Sequence, residues 1–361
     1  MKNTTGIKSD YVTKRLKENS VAKKLGIKAE TIDFCVEKWN HPHRFYHNID
    51  HLNNLFNHFH ICLLSKKITK REKEILDVVA LFHDICYDPR SNHLPNELAS
   101  IDFMDGRIHN FNKDSETIKD LIHSTMYLDE SCDKYRTGKL YEVFSAADLD
   151  YIFKGTYSDV LENELKLIKE YQCYPYRQYC EGRMSLLGQF GKKYGKTDTL
   201  EMIDDFLNTY TPKIGVYPGS FSPFHIGHLN ILEQAEKIFD KVIIAIGDNP
   251  EKNNSTSISR LAGVLPFHEV DTYHGLLSDY LKKVAGYADV TVIRGLRSGY
   301  DLDYEMNQLR ILEDCDCQLP VAYFLCSKET THISSSMIRG MSKFGNDVVA
   351  QYLPKKYNYI P

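Results

Sequence analysis

The chain has 361 residues, enough for two ordinary domains, because a single hydrophobic core stops growing near roughly 250 to 300 residues. With 42% hydrophobic residues, 26% charged residues and a formal net charge of −4, its composition is globular and excludes a broad polyanion-binding surface. Nucleic acid is therefore not an expected partner, and any nucleotide must be held locally.

From about Tyr11 to about Leu207 the apolar residues recur at helical spacing. Ile49, Leu52, Leu55, Phe56 and Phe59 form one such series, and Ile75, Leu76, Val79, Phe82 and Ile85 another. This half reads all-α. Three of its fragments carry chemistry: HRFYHNIDHL from His43, VVALFHDICYDP from Val78, and AADLDYIF from Ala146. They set His and Asp on apolar helices, and an ionised Asp84 beside Phe82 and Ile85 is costly to bury unless a partner or a divalent cation compensates.

The order His, His-Asp, Asp resembles the HD-domain metal-dependent phosphohydrolases over roughly residues 10 to 207. The resemblance implies His47, His83, Asp84 and Asp148 as metal ligands. An R-x-x-H spacing from Arg44 selects His47 over His51, which stands one helical turn on and faces the same cavity. Asn96-Glu97, Glu170-Tyr171 and Gly182-Arg183 also match, while Ala146 stands where the branch often has Asp. The implied cofactor is one or two ions of the Mn, Fe, Ni, Co or Mg type, and the implied reaction is hydrolysis of a phosphomonoester. The alternative is a regulatory module that binds a nucleotide or coenzyme A without cleaving it.

A polar, Gly/Lys-rich stretch, Phe190 to Asp198, and a Pro before the next apolar run place the boundary near 210, giving domains 1–210 and 211–361. Beyond it, short apolar runs at Ile214 to Tyr217, Val242 to Ile246, Val290 to Ile293 and Val321 to Leu325 alternate with amphipathic helices. That alternation predicts an α/β domain with a parallel sheet. The first run passes through Pro218-Gly219-Ser220-Phe221 into a helix starting near Ile226. Free amides and the helix dipole favour a phosphate at such a turn, and Gly219 lets it approach the main chain. His225 and His228, three positions apart, share one helical face and can both donate to a reacting phosphate.

These residues resemble the H/T-x-G-H nucleotidyltransferases. Four blocks in order, YPGSF with GH, DNPEKN, VIRGLRSGYDLDYEMNQ and SKETTHISSSMIRG, are similar to phosphopantetheine adenylyltransferase over roughly Lys213 to Pro354. The resemblance implies a Rossmann-like fold and adenylyl transfer from ATP, with Mg²⁺, to 4′-phosphopantetheine. It implies His228 as the stabiliser of the transition state beside His225, Lys252 as the cation neutralising the reacting phosphates, and Arg294 as the grip on the acceptor's phosphate. Ser220 and Phe221 contact acceptor and ATP, and Leu277 touches the pantetheine arm. Gly219, Gly295, Arg297 and Glu305 match ATP-binding positions, and Ile333, Ser334, Ser335 and Ser336 hold the triphosphate, with Met337 and Arg339 continuing that helix. His225 and the run Ser220-Phe221-Ser222-Pro223 also resemble nicotinamide mononucleotide adenylyltransferases, whereas the IRGLR and DYEM blocks argue for the pantetheine branch; the alternative acceptor is nicotinamide mononucleotide or another phosphorylated metabolite. The family implies a homo-oligomer, commonly a hexamer.

Nine cysteines, an odd number without paired spacing, argue for reduced thiols and a cytoplasmic setting; Cys315 and Cys317 stand too close for a common zinc pattern. The N-terminus has no apolar signal core and no run of 18 or more apolar residues occurs, so no membrane partner is expected.

Overall fold

The computed structural model describes residues 4–91, 95–247 and 261–355. Contacts divide the chain into two units, Met1–Glu170 with Glu181–Asn208, and Tyr171–Cys180 with Thr209–Ile360. The main division, at 208/209, lies close to the expected 210. The second unit, however, also claims the ten residues 171–180.

The first unit is helical. Its helices begin with α1 (Thr4–Glu18), α2 (Ser20–Lys24), α3 (Ala29–Trp39), α4 (Ile49–Leu64) and α5 (Lys70–Phe82). After them come α6 (Asn96–Asp105), α7 (Lys113–Ser124), α8 (Gly138–Asp148), α9 (Asp150–Lys154), α10 (Tyr157–Glu170), α11 (Tyr176–Tyr194) and α12 (Asp198–Thr209). Helix α5 starts where its sequence says it should, because Thr69 and Glu72 form a reciprocal capping box. Asn48 caps α4 by accepting from the Asp50 and His51 amides. The inner faces of α4 and α5 bury Leu52, Phe56, Phe59, Leu76, Val79 and Phe82, and α4 packs against both α5 and α8. One detail departs from the periodic reading: α5 ends at Phe82, and buried Ile85 lies in the turn beyond. That turn is held by Arg44, whose guanidinium donates to the carbonyls of Asp84 and Ile85, both at 2.8 Å.

In the second unit a five-stranded parallel sheet runs in the order β3-β2-β1-β4-β5. Its strands are β1 (Lys213–Gly219), β2 (Lys241–Gly247), β3 (Glu269–Tyr273), β4 (Asp289–Leu296) and β5 (Val321–Leu325). Four of these cover the predicted runs. Edge strand β3, sequence EVDTY, escapes an apolar-run reading because Val270 is its single aliphatic residue and most of its side chains are half-buried. Because β1 pairs with β2 on one side and β4 on the other, the strand order reverses at β1/β4. The carboxyl ends of strands at such a reversal are where open α/β sheets take ligands.

Residues 171–180 belong here because of Lys241. Its side chain is buried at the start of β2, where Nζ donates to the carbonyls of Gln172 and Tyr174 at 2.5 and 2.8 Å and pairs with Glu269 at 2.8 Å. Gln172 donates in turn to Glu236 at 2.9 Å. A buried ammonium needs such a complete set of acceptors. Among the described residues no helix is long and apolar enough to cross a membrane, and all nine cysteines are free.

Lys241→Met should strand the Glu269 carboxylate and two carbonyls, costing about 3–5 kcal/mol. Calorimetric unfolding should show this as a lowered transition; an unchanged transition would mean that Lys241 does not tie 171–180 to the sheet.

Candidate functional site

In the first unit the side chains expected to hold a metal arrive from the segment just before α4, from the turn after α5 and from the last residue of α8. His83 follows α5 directly, and its Nδ1 lies 3.0 Å from the Ala80 carbonyl, so Nδ1 carries a proton and donates. Nε2 then faces the opposite way, 3.0 Å from Asp84 Oδ2 and 3.6 Å from Asp148 Oδ1. His47 is held in the same manner. Fully buried Glu170 takes its Nδ1 at 2.5 Å and accepts from the amides of Tyr46 and His47 at 2.9 Å, leaving Nε2 3.9 Å from Asp84 Oδ2. One turn on, His51 brings Nε2 within 3.2 Å of Asp148 Oδ1, and the Tyr127 hydroxyl donates to Asp148 Oδ2 at 2.8 Å. Among the described residues the donor atoms that lie within 4.8 Å of one another are those of His51, His83 and Asp148, so His51 stands where the R-x-x-H spacing selects His47; Asp84 borders the group through His83, and His47 reaches only Asp84, at 3.9 Å.

Electrostatics in the cluster favour positive charge at its centre. Burial opposes charging of His83, yet Asp84 and Asp148 raise its pKa to about 10. His47 is raised as well, with Glu170 and Asp84 outweighing burial. Burial alone pushes the carboxyls up, but His83 holds Asp84 down at about 2, and His51 and His83 hold Asp148 well below the usual carboxylate range. Buried Nε2 atoms on His51 and His83 have no hydrogen-bond partner. Outward imidazole nitrogens without hydrogen-bond partners beside two carboxylates form a donor set that fits a divalent ion.

Several residues that position this cluster were missed or only noted as matches. Arg44 marked a spacing, but it braces the site by donating to the carbonyls of His47 at 3.2 Å and Asp84 at 2.8 Å. Glu170 is 123 residues from His47 in sequence, so no local pattern could join them. Asn96 accepts from the Asp88 amide at 3.0 Å and fixes the loop after His83-Asp84. Burial raises the Glu97 carboxyl to about 7, Asp84 adding to the effect. Arg183 is engaged by Glu164 at 2.7 Å.

The second unit's site lies at the carboxyl ends of β1 and β4. Helix α13 (Ile226–Ala235) is capped by histidine. His225 Nδ1 accepts from the Gly227 amide at 3.2 Å, and His228 Nδ1 accepts from the His225 amide at 3.3 Å, a reciprocal pair with stacked rings 3.6 Å apart. Two amides that sequence reasoning left free for a phosphate are therefore already taken. The compensation is that both rings become Nε2–H donors. Burial, with Arg297 nearby, lowers the His225 pKa to about 4, and burial with His225 and Arg297 lowers His228 well below its ordinary value. Both imidazoles are neutral near pH 7.

Other expected residues divide sharply. Phe221 adopts a φ of +43° and buries its ring among Tyr217, Phe224 and His228, so any ligand contact must come from its main chain. Gly219 is required by that ring, because a Cβ there would lie 2.8 Å from it. Ser220 is exposed and Leu277 half-buried. Arg294, near the end of β4, pairs with Glu305 at 3.0 Å. Arg297 forks onto Asp301 at 2.8 and 3.1 Å. Gly295 lets β4 pack on α13, since a Cβ would meet Ile231 at 2.9 Å. Ile333 is buried with Ile338 and Val349. Ser334 caps the next helix by accepting from the Met337 amide at 3.1 Å, and Ser335 donates to the Pro223 carbonyl at 3.0 Å. Arg339 does more than continue that helix: it donates to the Ser222 carbonyl and to Ser336 Oγ, joining the serine segment to the loop before α13. Lys252 lies outside the described residues.

A cytidylyltransferase-like family model matches residues 216–341. The phosphopantetheine adenylyltransferase of Buchnera aphidicola subsp. Schizaphis graminum is 34% identical over 155 residues, covering 41% of this chain and 92% of its own. Those of Alkaliphilus metalliredigens and Geotalea daltonii are 29% and 34% identical, covering 40% and 38% of this chain and 93% and 87% of theirs. A provisionally assigned nicotinate-nucleotide adenylyltransferase structure from Vibrio parahaemolyticus is 19% identical with a TM-score of 0.31, covering 40% of this chain and 95% of its own. That likeness is too weak to carry an argument. The parallel sheet with its histidine-capped helix is a nucleotidyltransferase domain of the cytidylyltransferase-like class. Through this C-terminal region the chain belongs to the phosphopantetheine adenylyltransferase family.

Removing the cap has a calculable effect. His225→Ala should cost about 1 kcal/mol, whereas His225→Asn, a strong cap residue, should stay within a few tenths. Unfolded imidazoles take up protons near pH ~6.5 while His225 stays neutral to about 4, so the wild type loses this contribution as pH falls through that window. Melting temperatures at pH 7.5 and 5 should show His225→Asn gaining on the wild type at the lower pH; a gap independent of pH would contradict the lowered pKa.

Proposed function

We propose that the second unit transfers AMP from ATP to 4′-phosphopantetheine, giving dephospho-coenzyme A and pyrophosphate. The observation that carries this reading is the pair of neutral, Nε2–H-bearing imidazoles of His225 and His228 at the end of β1, with Arg294 near the end of the adjacent β4. A terminal phosphate oxygen of the acceptor attacks the α-phosphorus, the α–β bridging bond breaks, and pyrophosphate leaves. The protein contributes positioning and charge stabilisation rather than a covalent intermediate. His228 donates from Nε2 to the α-phosphate oxygens as charge accumulates, and His225 holds it in register. Arg294 fixes the acceptor's phosphate, with Leu277 along the pantetheine arm. Gly219, Ser220, the Phe221 main chain, Gly295, Arg297, Glu305 and Ile333 to Ser336 surround ATP, and Lys252 neutralises the phosphates. Mg²⁺ carried with ATP screens the phosphate oxygens. Exposed Tyr300, Tyr304 and Leu325 support assembly into a homo-oligomer.

For the first unit we infer a metal-dependent phosphohydrolase of the HD type. His47, His83, Asp84 and Asp148 would hold a divalent ion of the Mn, Fe, Ni, Co or Mg type, which supplies Lewis acidity toward a phosphoester and acidifies water. Glu170 and the Ala80 carbonyl keep both imidazoles in the tautomer that binding requires, and Tyr127 steadies Asp148.

Pyrophosphate release with ATP and 4′-phosphopantetheine should exceed that with nicotinamide mononucleotide; equal or reversed preference would overturn the acceptor. His228→Ala should lower kcat by about 10²–10³. Because both imidazoles are already neutral, kcat/KM should show no histidine limb between pH 6 and 8. In the first unit, Mn²⁺-dependent phosphate release from a panel of nucleotides and coenzyme A precursors should vanish in Asp84→Ala. Release unaffected by that change, or none from the wild type, would favour a binding module instead.

A further inference from the structure

We propose that Tyr273 is a further acceptor-binding residue, its hydroxyl donating to the same phosphate that Arg294 grips. The inference rests on the adenylyl-transfer reading above and deepens it. Tyr273 closes edge strand β3 and belongs to none of the four sequence blocks.

Sheet register puts the two side chains on one face. Tyr273 pairs with Gly247, and Asp271, two residues back, pairs with Ala245, which pairs in turn with Pro218. Val216, two residues before Pro218, pairs with Val292, and Arg294 follows two residues later. Side chains two apart along a strand share a face, so Asp271, Tyr273 and Arg294 stand on the same one. Gly295 faces the other way, against Ile231 of α13, as the alternation requires.

On the shared face the ring of Tyr273 leans inward. Its oxygen lies 2.8 Å from the point that a Cβ on Gly247 would occupy, so the hydroxyl sits over the end of β2 rather than beyond the sheet edge. From there it points toward β1 and β4, where the strand order reverses. Strands β3 and β4 stand three spacings apart, about 14 Å, and the leaning ring spans the first. The other two, about 10 Å, accommodate the guanidinium of Arg294 and one acceptor phosphate.

Packing alone does not call for the hydroxyl. Ring contact with Tyr280, centroids 5.3 Å apart, needs only the aromatic face, which phenylalanine would supply. Tyr280 provides the contrast: its hydroxyl donates to Asp271 at 3.0 Å, whereas that of Tyr273 has no hydrogen-bond partner among the described residues. Burial raises the Tyr273 phenol and Arg294 draws it back down, so the group stays a proton donor close to a cation. Arg294 engages Glu305 through Nε at 3.0 Å, leaving the phosphate to its terminal amino groups. A guanidinium fork and one phenolic O–H can together serve three oxygens of a terminal phosphate.

The test uses the full chain, titrated calorimetrically with 4′-phosphopantetheine and with pantetheine, which lacks the phosphate. Tyr273→Phe keeps the ring, so its melting should match wild type. Its affinity for 4′-phosphopantetheine should fall about tenfold, and that for pantetheine by less than about twofold. In steady-state assays the KM for the acceptor should rise severalfold while the KM for ATP stays unmoved. Equal losses for both ligands would put the hydroxyl on the pantetheine arm. Full affinity in Tyr273→Phe, beside a weakened Arg294→Ala, would reduce the residue to packing. Either result would overturn the phosphate contact alone. Failure of the wild type to bind 4′-phosphopantetheine, or undiminished affinity in Arg294→Ala, would overturn the acceptor reading itself.

Discussion

What occupies Nδ1 of an imidazole decides what its Nε2 can do, and both candidate sites are built on that constraint. In the helical unit, Nδ1 of His83 faces a carbonyl and Nδ1 of His47 faces a buried carboxylate, so both donate there and, in the neutral form, present a lone pair at Nε2. In the sheet unit, Nδ1 of His225 and His228 accepts from backbone amides, so both present a hydrogen at Nε2. The same side chain is set to offer a lone pair in one environment and a hydrogen in the other. No change of residue type is needed.

Each scaffold supplies the second partner from a place that cannot easily move. Ala80 sits in the last turn of α5, and Glu170 ends α10 with its carboxylate fully buried and committed to two amides as well as the ring. Arg44 ties the His47 and Asp84 segments together through their carbonyls, so the spacing between these two side chains depends on one guanidinium. In the sheet unit the helix itself is the partner: the first amides of α13 orient both rings, and the rings in turn cap α13. Burial then keeps them neutral, the state in which a donor costs least to hold beside Arg297.

Much of this was legible in the sequence because it is written locally. The alternation of apolar runs and helices after 213 and the pair His225/His228 are each local patterns, spanning a few residues at a time. What was not legible depends on long-range pairing. Glu170 with His47 and Lys241 with the 172 and 174 carbonyls join segments 67 to 123 residues apart, and no periodicity encodes them. Roles were also misjudged where one residue serves another's packing. Gly219 makes room for the Phe221 ring, Phe221 turns into the core, and Arg339 reaches back to Ser222. Strand β3 was hidden because an edge strand with polar side chains has little apolar signature.

The tautomers can be read directly. Long-range ¹H–¹⁵N correlation spectra of the histidine-labelled, Zn²⁺-loaded chain at pH 7.5, assigned by single substitutions, report which ring nitrogen carries hydrogen. This account predicts hydrogen on Nδ1 for His47 and His83 and on Nε2 for His225 and His228. Hydrogen on Nδ1 of His228, or on Nε2 of His83, would contradict it.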